Sequence, residues 1–353
     1  METLREQQTA AGALFDADTA TAPLTFGNDA AARAAAASGV ALCDRSHWGL
    51  IEVSDSDRLR FLHNQSTNDV MTLLPGQGCE TVFVTSTART LDLVSAYALE
   101  DTVLLLCHPA CRESLLSWMD RFIFFSDKVT LTDITDRMAT FSLIGPESDA
   151  LLSRLGLGAV VGQPPQSHQA AALDGVTLRL AVGSGLASPG YTLMVAREQA
   201  ADLWSRLTTA GALPMGDRLW QELRVVQGRP VPGQELTEEY NPLEAGLWHG
   251  VSFDKGCYIG QETIARLNTY GGAKQQLWGL RLDGPVDSGT KITIDGERAG
   301  VVTSVVETPD GVAGLGYVRS KLGGEGSKVQ VGAALGTVVA VPFLTRQSQG
   351  TPE

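Results

Sequence analysis

From Trp48 onward, apolar and polar positions fall into regular registers. WGLIEVS (48–54) alternates with the period of two of a strand that buries one face, and Ser54 and Asp55 stand where they can cap a helix running through DRLRFLHNQ (57–65). GCETVFVTS (78–86), TLDLVSAYAL (90–99) and TVLLLC (102–107) read as strands of an antiparallel meander. CRESLLSWMDRFIF (111–124) has helical apolar spacing, and KVTLTDI (128–134) returns to strand. The same order then recurs. RMATFSLIG (137–145) is a strand, PESDALLSRLG (146–156) a helix with Pro in its first turn, VTLRLAV (176–182) and GYTLMV (190–195) are strands, and REQAADLWSRLTTAG (197–211) is a helix closing on Gly211. QPPQSHQAAALDG (163–175) reads as a long loop within the second half.

Past Tyr270 the character changes. LWGLRLDG, KITIDG, RAGVVTSVVET, GVAGLGYVR and GAALGTVVAV are short strands between Gly-rich turns, the spacing of a small closed β-barrel. The pattern predicts an α+β protein: two α+β subdomains of similar architecture (about 46–134 and 135–245) within a domain spanning 39–270, then a C-terminal β-barrel at 271–345. An Ala-rich N-terminal extension (1–38) reads as a peripheral helix ending at Gly39, and residues 346–353 as a frayed tail.

Composition narrows the function classes. A net charge of −13 and a pI near 4.9 argue against nucleic acid or an anionic membrane as the main ligand. Any phosphate or carboxylate ligand must therefore meet a local cluster of basic groups. Five cysteines (43, 79, 107, 111 and 257) are too few and too irregular for a disulfide framework. The first residues lack the apolar core of a signal peptide, and no apolar run nears the ~20 residues of a membrane span. The expectation is a soluble, cytoplasmic protein. CHPAC (107–111) lacks a second Cys or His cluster to complete a metal site, so no metal is expected.

Between the halves and the barrel lies a motif loop (224–267), LRVVQGRPVPGQELTEEYNPLEAGLWHGVSFDKGCYIGQETIARL when read from Leu223. It is long and punctuated by Gly and Pro, as a binding surface is. A helix is predicted to begin near Gly260, with Cys257 just before it and Lys255 two residues earlier; a helix N-terminus and a neighbouring cation both favour a thiolate. The same residues also suit a small buried cysteine and a solvated lysine.

NPLEAGL (241–247) followed by KGCYIGQE (255–262) resembles the signature of the YgfZ-type folate-binding proteins, relatives of the glycine-cleavage T-protein. HNQSTNDV with PGQG (63–78), IGPES (144–148) and GRPVPGQEL (228–236) match collinearly. The resemblance implies two interlocked α+β subdomains round a central channel, a C-terminal barrel, and tetrahydrofolate as ligand, with or without a polyglutamate tail. It further implies support of iron–sulfur cluster assembly or repair in client enzymes, tRNA-modifying ones included, with those enzymes or assembly factors as partners and no direct contact with nucleic acid or membrane. Cys257 and Lys255 are then the reactive pair. Gly256, Tyr258, Gly260, Gln261 and Glu262 form the folate-side turn, with Gln261 and Glu262 as its braces.

Two departures bear on chemistry. T-proteins carry an acidic pair after a glycine-rich turn; here STARTLDLV has Ala88 for the glycine and offers Asp92 beside Leu93. Adjacent strand residues face opposite sides, so at most one carboxylate enters the channel. Where relatives often read Gly-Tyr-Glu, this chain reads Gly190-Tyr191-Thr192. Asp92 is a candidate folate carboxylate or a solvated strand residue, and Arg224 a partner for the ligand's glutamate tail or a helix surface charge. Aminomethyl transfer to folate, a related demethylase and a non-enzymatic docking module stand as alternatives.

Overall fold

The computed structural model describes residues 3–16, 22–269 and 273–346. The chain divides into two compact units, neither continuous in sequence: residues 1–59, 70–79 and 95–221 form one, and residues 60–69, 80–94 and 222–353 the other. The fold is mixed α+β with a closed C-terminal barrel. No helix among the described residues is long and apolar enough to cross a membrane.

The repeat is complete element by element. Strand Gly49–Ser54, helix Arg58–Gln65, strands Gly78–Val84, Thr90–Ala98 and Thr102–Cys107, helix Arg112–Asp120 and strand Thr130–Asp133 make the first half. Strand Met138–Ile144, helix Ser148–Arg154, strands His168–Leu173, Val176–Val182 and Gly190–Ala196, helix Ala200–Thr209 and strand Leu213–Met215 make the second. His168–Leu173 corrects the reading of 163–175 as a loop. Its residues pair antiparallel with Val176–Val182, from His168 opposite Ala181 to Leu173 opposite Val176. The two-residue turn between them is Asp174-Gly175, with φ of 45° and 88°, the doubly left-handed turn that matches the twist of a hairpin. The Asp-Gly signal was present in the sequence, but an alanine-rich strand carries weak alternation.

In sheet order the halves also correspond. The first reads Gly78–Val84, Thr90–Ala98, Thr102–Cys107, Gly49–Ser54, Thr130–Asp133, and the second matches it position by position with one insertion. Strand Ala41–Asp44, which precedes the first half in sequence, lies between Met138–Ile144 and Leu213–Met215; it pairs antiparallel with the former and parallel with the latter. The second half's sheet buries Phe141, Leu143, Leu180 and Leu193 against Leu151, Leu203 and Trp204 of its helices. Fully burying such a side chain contributes about 1.5–3 kcal/mol, so this layer is the main apolar core of the first unit. Helix Asp29–Ser38 stops at Gly39 as expected, but the extension is not one peripheral helix: helix Leu4–Ala10 and the paired strands Leu14–Phe15 and Pro23–Thr25 precede it, and Ala32 and Ala36 are buried. Of the expected frayed tail, residues 347–353 lie outside the described residues.

The barrel closes six strands in the order Gln275–Leu282, Gly311–Arg319, Glu297–Thr308, Lys291–Ile294, Lys328–Val331, Ala334–Val339, the last pairing back on the first. Closure removes both sheet edges. Leu280, Ile292, Val302, Val318, Val331 and Val338 fill its interior.

Candidate functional site

The motif loop is stapled to the end of the Arg58–Gln65 helix by backbone and side-chain bonds. Ile259 N donates to Asn64 O (3.0 Å), Ser252 N to Thr67 O (3.0 Å), and Thr67 Oγ1 to Gly250 O (2.6 Å). Lys255 completes the attachment. Its ammonium donates to the carbonyls of His63, Ser66 (2.8 Å) and Asn68 (2.7 Å), at and just past a helix C-terminus where carbonyls lack intrahelical partners. An ammonium has three protons, and all three are used. Lys255 is buried, and its charge also sits 4.8 Å over the Tyr258 ring. Lys255, expected as half of the reactive pair, is therefore a strut, because the carbonyls consume the donors a ligand would need.

Tyr258 is the second anchor. It packs in a cluster with Ala88, Leu243, Val251 and Ile264, and burial pushes its phenol up to about 12. Between these two buried side chains, Gly256 and Cys257 are exposed. The thiol is thus held outward by its neighbours.

Gly260, at φ 82°, turns the chain into helix Gln261–Thr269; a Cβ there would lie 2.8 Å from Thr85 O and 3.1 Å from Ala88 Cα. Only glycine fits. Glu262 lies in the helix's first turn and Arg266 in its last, each complementing the dipole. The side chains of Gln261 and Glu262 make no hydrogen bond among the described residues, so the bracing expected of them falls to Lys255 and Tyr258.

His63 is a residue the sequence reading left without a role. Its Nδ1 lies 3.1 Å from Asp69 Oδ1, and its Nε2 lies 3.6 Å from where a side chain on Gly256 would begin. Burial and the Lys255 charge lower its pKa against the opposing pull of Asp69, which favours the neutral imidazole. A base thus stands beside the turn that presents the thiol. The signal was its place in HNQSTNDV, six residues before Asp69. Helix Arg58–Gln65 ends where the apolar spacing placed it, and beyond it Asn68 ties Glu80 O (2.7 Å) through its amide.

Other predicted residues lie in separate surroundings. Asp92 is 1 % exposed on strand Thr90–Ala98, so it is no solvated strand residue. Leu93, on the opposite face, packs with Val82, Val84, Leu236, Ala245 and Leu247. Thr192 is buried and donates to Gly183 O (2.7 Å), while Tyr191 OH donates to Asp149 Oδ1 (2.6 Å). Arg224 is neither a surface charge nor open to a ligand's carboxylate. It is buried, with Nη1 on Glu235 Oε2 (3.0 Å) and Nη2 on Ser304 Oγ (3.0 Å). Helix Asp217–Gln227 places it beside the buried Val225, and that face packs inward.

A third cluster was not foreseen. Glu80 accepts from Arg229 Nη1 on one oxygen (3.1 Å) and lies 3.1 Å from His249 Nε2 on the other, while His249 Nδ1 reaches Thr345 Oγ1 (2.9 Å). Burial alone would raise the Glu80 carboxyl, but the His249 hydrogen bond and the Arg229 charge outweigh it and bring it to about 2. CHPAC is a strand-to-helix junction, in which Cys107 is buried and His108 Nδ1 accepts from Ala110 N (3.3 Å). Among the described residues no three His, Cys, Asp or Glu side chains gather as a metal group would need.

Comparison with known proteins agrees with this architecture. The family model described as the GCVT N-terminal domain matches residues 5–255. The chain is 44% identical over 326 residues to a chloroplastic "putative transferase" of Arabidopsis thaliana, covering 92% of this chain and 76% of that one. It is 32% identical over 325 residues to the aminomethyltransferase of Geobacillus thermodenitrificans (86% and 87% covered), and 30% identical over 337 residues to that of Rubrobacter xylanophilus (94% and 90%). The crystal structure of the glycine cleavage system aminomethyltransferase T from Bartonella henselae superposes with a TM-score of 0.85 at 22% identity, over 97% of both chains, and so shares the fold. The chain belongs to the GCVT-domain family, that of the aminomethyltransferases.

Proposed function

We propose that this protein binds tetrahydrofolate and uses the Cys257 thiol to support assembly or repair of iron–sulfur clusters in client enzymes. Membership of the aminomethyltransferase family supports the folate part. The observation that carries the rest is the outward-facing thiol in KGCYIGQE, pinned between two buried anchors and followed by a glycine no other residue replaces. A side chain so costly to position, with an imidazole held by Asp69 beside its turn, suits a thiolate that meets a partner. The thiol sulfur ligates cluster iron as cargo, its proton passing to solvent or to the neutral imidazole of His63 beside the turn. A free exposed thiol suits a reducing compartment, whether cytoplasm or organelle stroma.

Aminomethyl transfer is the second reading, favoured by relatives that bear that name and by a carboxylate, Asp92, buried on the strand that follows the Thr85–Arg89 turn. The neighbouring position, Leu93, is apolar and packed, so a second acid is missing there.

The two readings separate by experiment. Cells lacking the protein should lose activity of cluster-dependent enzymes under oxidative stress, and Cys257→Ser should fail to restore it whereas Asp92→Asn should succeed. Full rescue by Cys257→Ser would falsify the thiol assignment. Turnover of an aminomethylated carrier to methylene-tetrahydrofolate by the purified protein, abolished by Asp92→Asn, would establish transfer instead.

A further inference from the structure

The chain carries 27 Lys and Arg against 40 Asp and Glu, so an average patch of its surface is negative. One cleft of the second unit reverses that. It encloses about 970 Å³ and is lined by Arg89, Arg266, Lys274, Arg319 and Lys321 against two acids, Glu239 and Glu244, a surplus of three positive charges. We infer that this cleft binds a linear oligocarboxylate, namely the γ-linked glutamate tail of a folate; the identity of the ligand's other end rests on the folate reading above.

Four observations carry it. First, the cations are available. Arg266, Lys274, Arg319 and Lys321 are exposed, and among the described residues Arg266, Arg319 and Lys321 have no carboxylate within 4 Å. The two acids do not neutralise them evenly. Glu244 is buried, accepts from Asn241 N (3.2 Å) and interacts with Arg89, Lys274 and Gln275, which leaves Arg266, Arg319 and Lys321 as the cations without a carboxylate. Second, several elements contribute the charges, rather than one helix or one loop. They come from four separate stretches: the turn before Thr90–Ala98, the last turn of Gln261–Thr269, the entry to the first barrel strand, and the exit of Gly311–Arg319. Five cations from four stretches are more than one phosphate or one carboxylate engages, and suit a ligand that carries several carboxylates. Third, most lining residues are polar or charged, with Leu267 and Ala273 the exceptions, so partners for several carboxylates are at hand. Fourth, Arg224, the basic residue in the motif loop's entry, is consumed by Glu235, so the tail has no seat there.

The cleft also lies within reach of the thiol along the chain. Arg266 and Cys257 bracket one helix start; the helix from Gln261 to Arg266 rises only ~8 Å.

Calorimetric titration of the full-length protein decides the matter, using tetrahydrofolate monoglutamate, the pentaglutamate and the free γ-glutamyl pentapeptide as probes. The wild type should bind the pentaglutamate about tenfold tighter than the monoglutamate and should bind the pentapeptide saturably, both effects weakening with added salt. The triple variant Arg266→Gln/Arg319→Gln/Lys321→Gln should lose the tail-length gain and the pentapeptide while keeping monoglutamate affinity. All three side chains are exposed, so folding is not at stake. Equal tail-length gains in wild type and triple variant, or displacement of the pentapeptide by a lower concentration of tripolyphosphate, overturn the inference. Absence of monoglutamate binding sinks the folate reading alone, because the free pentapeptide still reports on the cleft.

Discussion

Glu235 and the cationic cleft sit in the same unit and handle charge in opposite ways. Glu235 is fully buried, and each of its oxygens is met: Oε1 by Thr303 and Ser304 hydroxyls, Oε2 by Arg224 and Val231 N, and the main-chain oxygen by Tyr317 OH. Tyr317 in turn stacks on Tyr240 with ring centroids 3.4 Å apart. Thr303, Ser304 and Tyr317 belong to barrel strands, so the knot ties the motif loop to the barrel. In the cleft Arg266, Lys274, Arg319 and Lys321 are exposed, and three of them have no carboxylate within 4 Å among the described residues. The difference teaches how to sort the charges of an acidic chain. Cations spent inside hold loops in place, and those left outside without partners are the ones a ligand can use. Lys255 and Arg224, both candidates for ligand contact by sequence, fall in the first class.

The sharpest way to break this contrast is Arg224→Met. It leaves the Glu235 carboxylate buried without its cation, which costs about 3–5 kcal/mol even though two hydroxyls and an amide remain. Replacing both partners, Arg224→Met with Glu235→Leu, should restore much of that loss, because two desolvated charges vanish together. The cleft triple variant should stay within ~0.5 kcal/mol of wild type. Urea denaturation of the four proteins measures all three. A small loss in Arg224→Met would show that the knot is solvated and that Arg224 is free for ligand after all.

Next in size is the pH dependence set by Glu80. Its folded carboxyl lies at about 2 against an ordinary 4.5, so it binds its proton more weakly folded than unfolded. The unfolded chain therefore takes up protons first as pH falls. The contribution is fully present above about pH 5 and is lost between there and pH 2, for a total near 3 kcal/mol. In Glu80→Gln the slope of unfolding free energy against pH should flatten over that window. An unchanged slope would assign acid sensitivity to other carboxylates.

Much of the fold was legible because burial writes a period into the chain. Whereas Ala41–Asp44, Leu213–Met215 and the barrel strand Lys328–Val331 are too short to show a period, most other strands, the helix ending at Gly39 and the other five barrel strands follow from the pattern between turn residues. Strand His168–Leu173 did not, since HQAAAL alternates a small apolar residue with others little different from it. The site was legible only as a segment. KGCYIGQE located the turn and Gly260 marked its backbone, but which carbonyls converge on Lys255 depends on residues 63–68, nearly two hundred positions away. The cleft is harder still: Arg89, Arg266, Lys274 and Arg319 come from stretches that no local pattern joins. The net charge did foretell that a cluster of this kind must exist if the ligand is an anion.

The smallest effect tests Ala88, which stands where the resemblance to T-proteins leads one to expect a glycine. Ala88 has φ 62° and is wholly buried, in the turn Thr85–Arg89 that faces Gly260. A left-handed alanine costs about 1–2 kcal/mol relative to glycine. Against that, its methyl packs with Leu243, Tyr258 and Ile264, worth ~0.8 kcal/mol, and alanine restricts the unfolded chain by a further ~0.4–1 kcal/mol. The terms nearly cancel, so Ala88→Gly should shift the unfolding free energy by less than ~0.5 kcal/mol. Gly260→Ala, which puts a methyl 2.8 Å from Thr85 O in the same left-handed region, should cost about 1–3 kcal/mol. Two facing turns with the same backbone sign would then tolerate alanine on one side only. A loss above ~1 kcal/mol in Ala88→Gly would mean that the methyl's contact with Tyr258 anchors the motif turn, and that alanine here belongs to the machinery presenting Cys257.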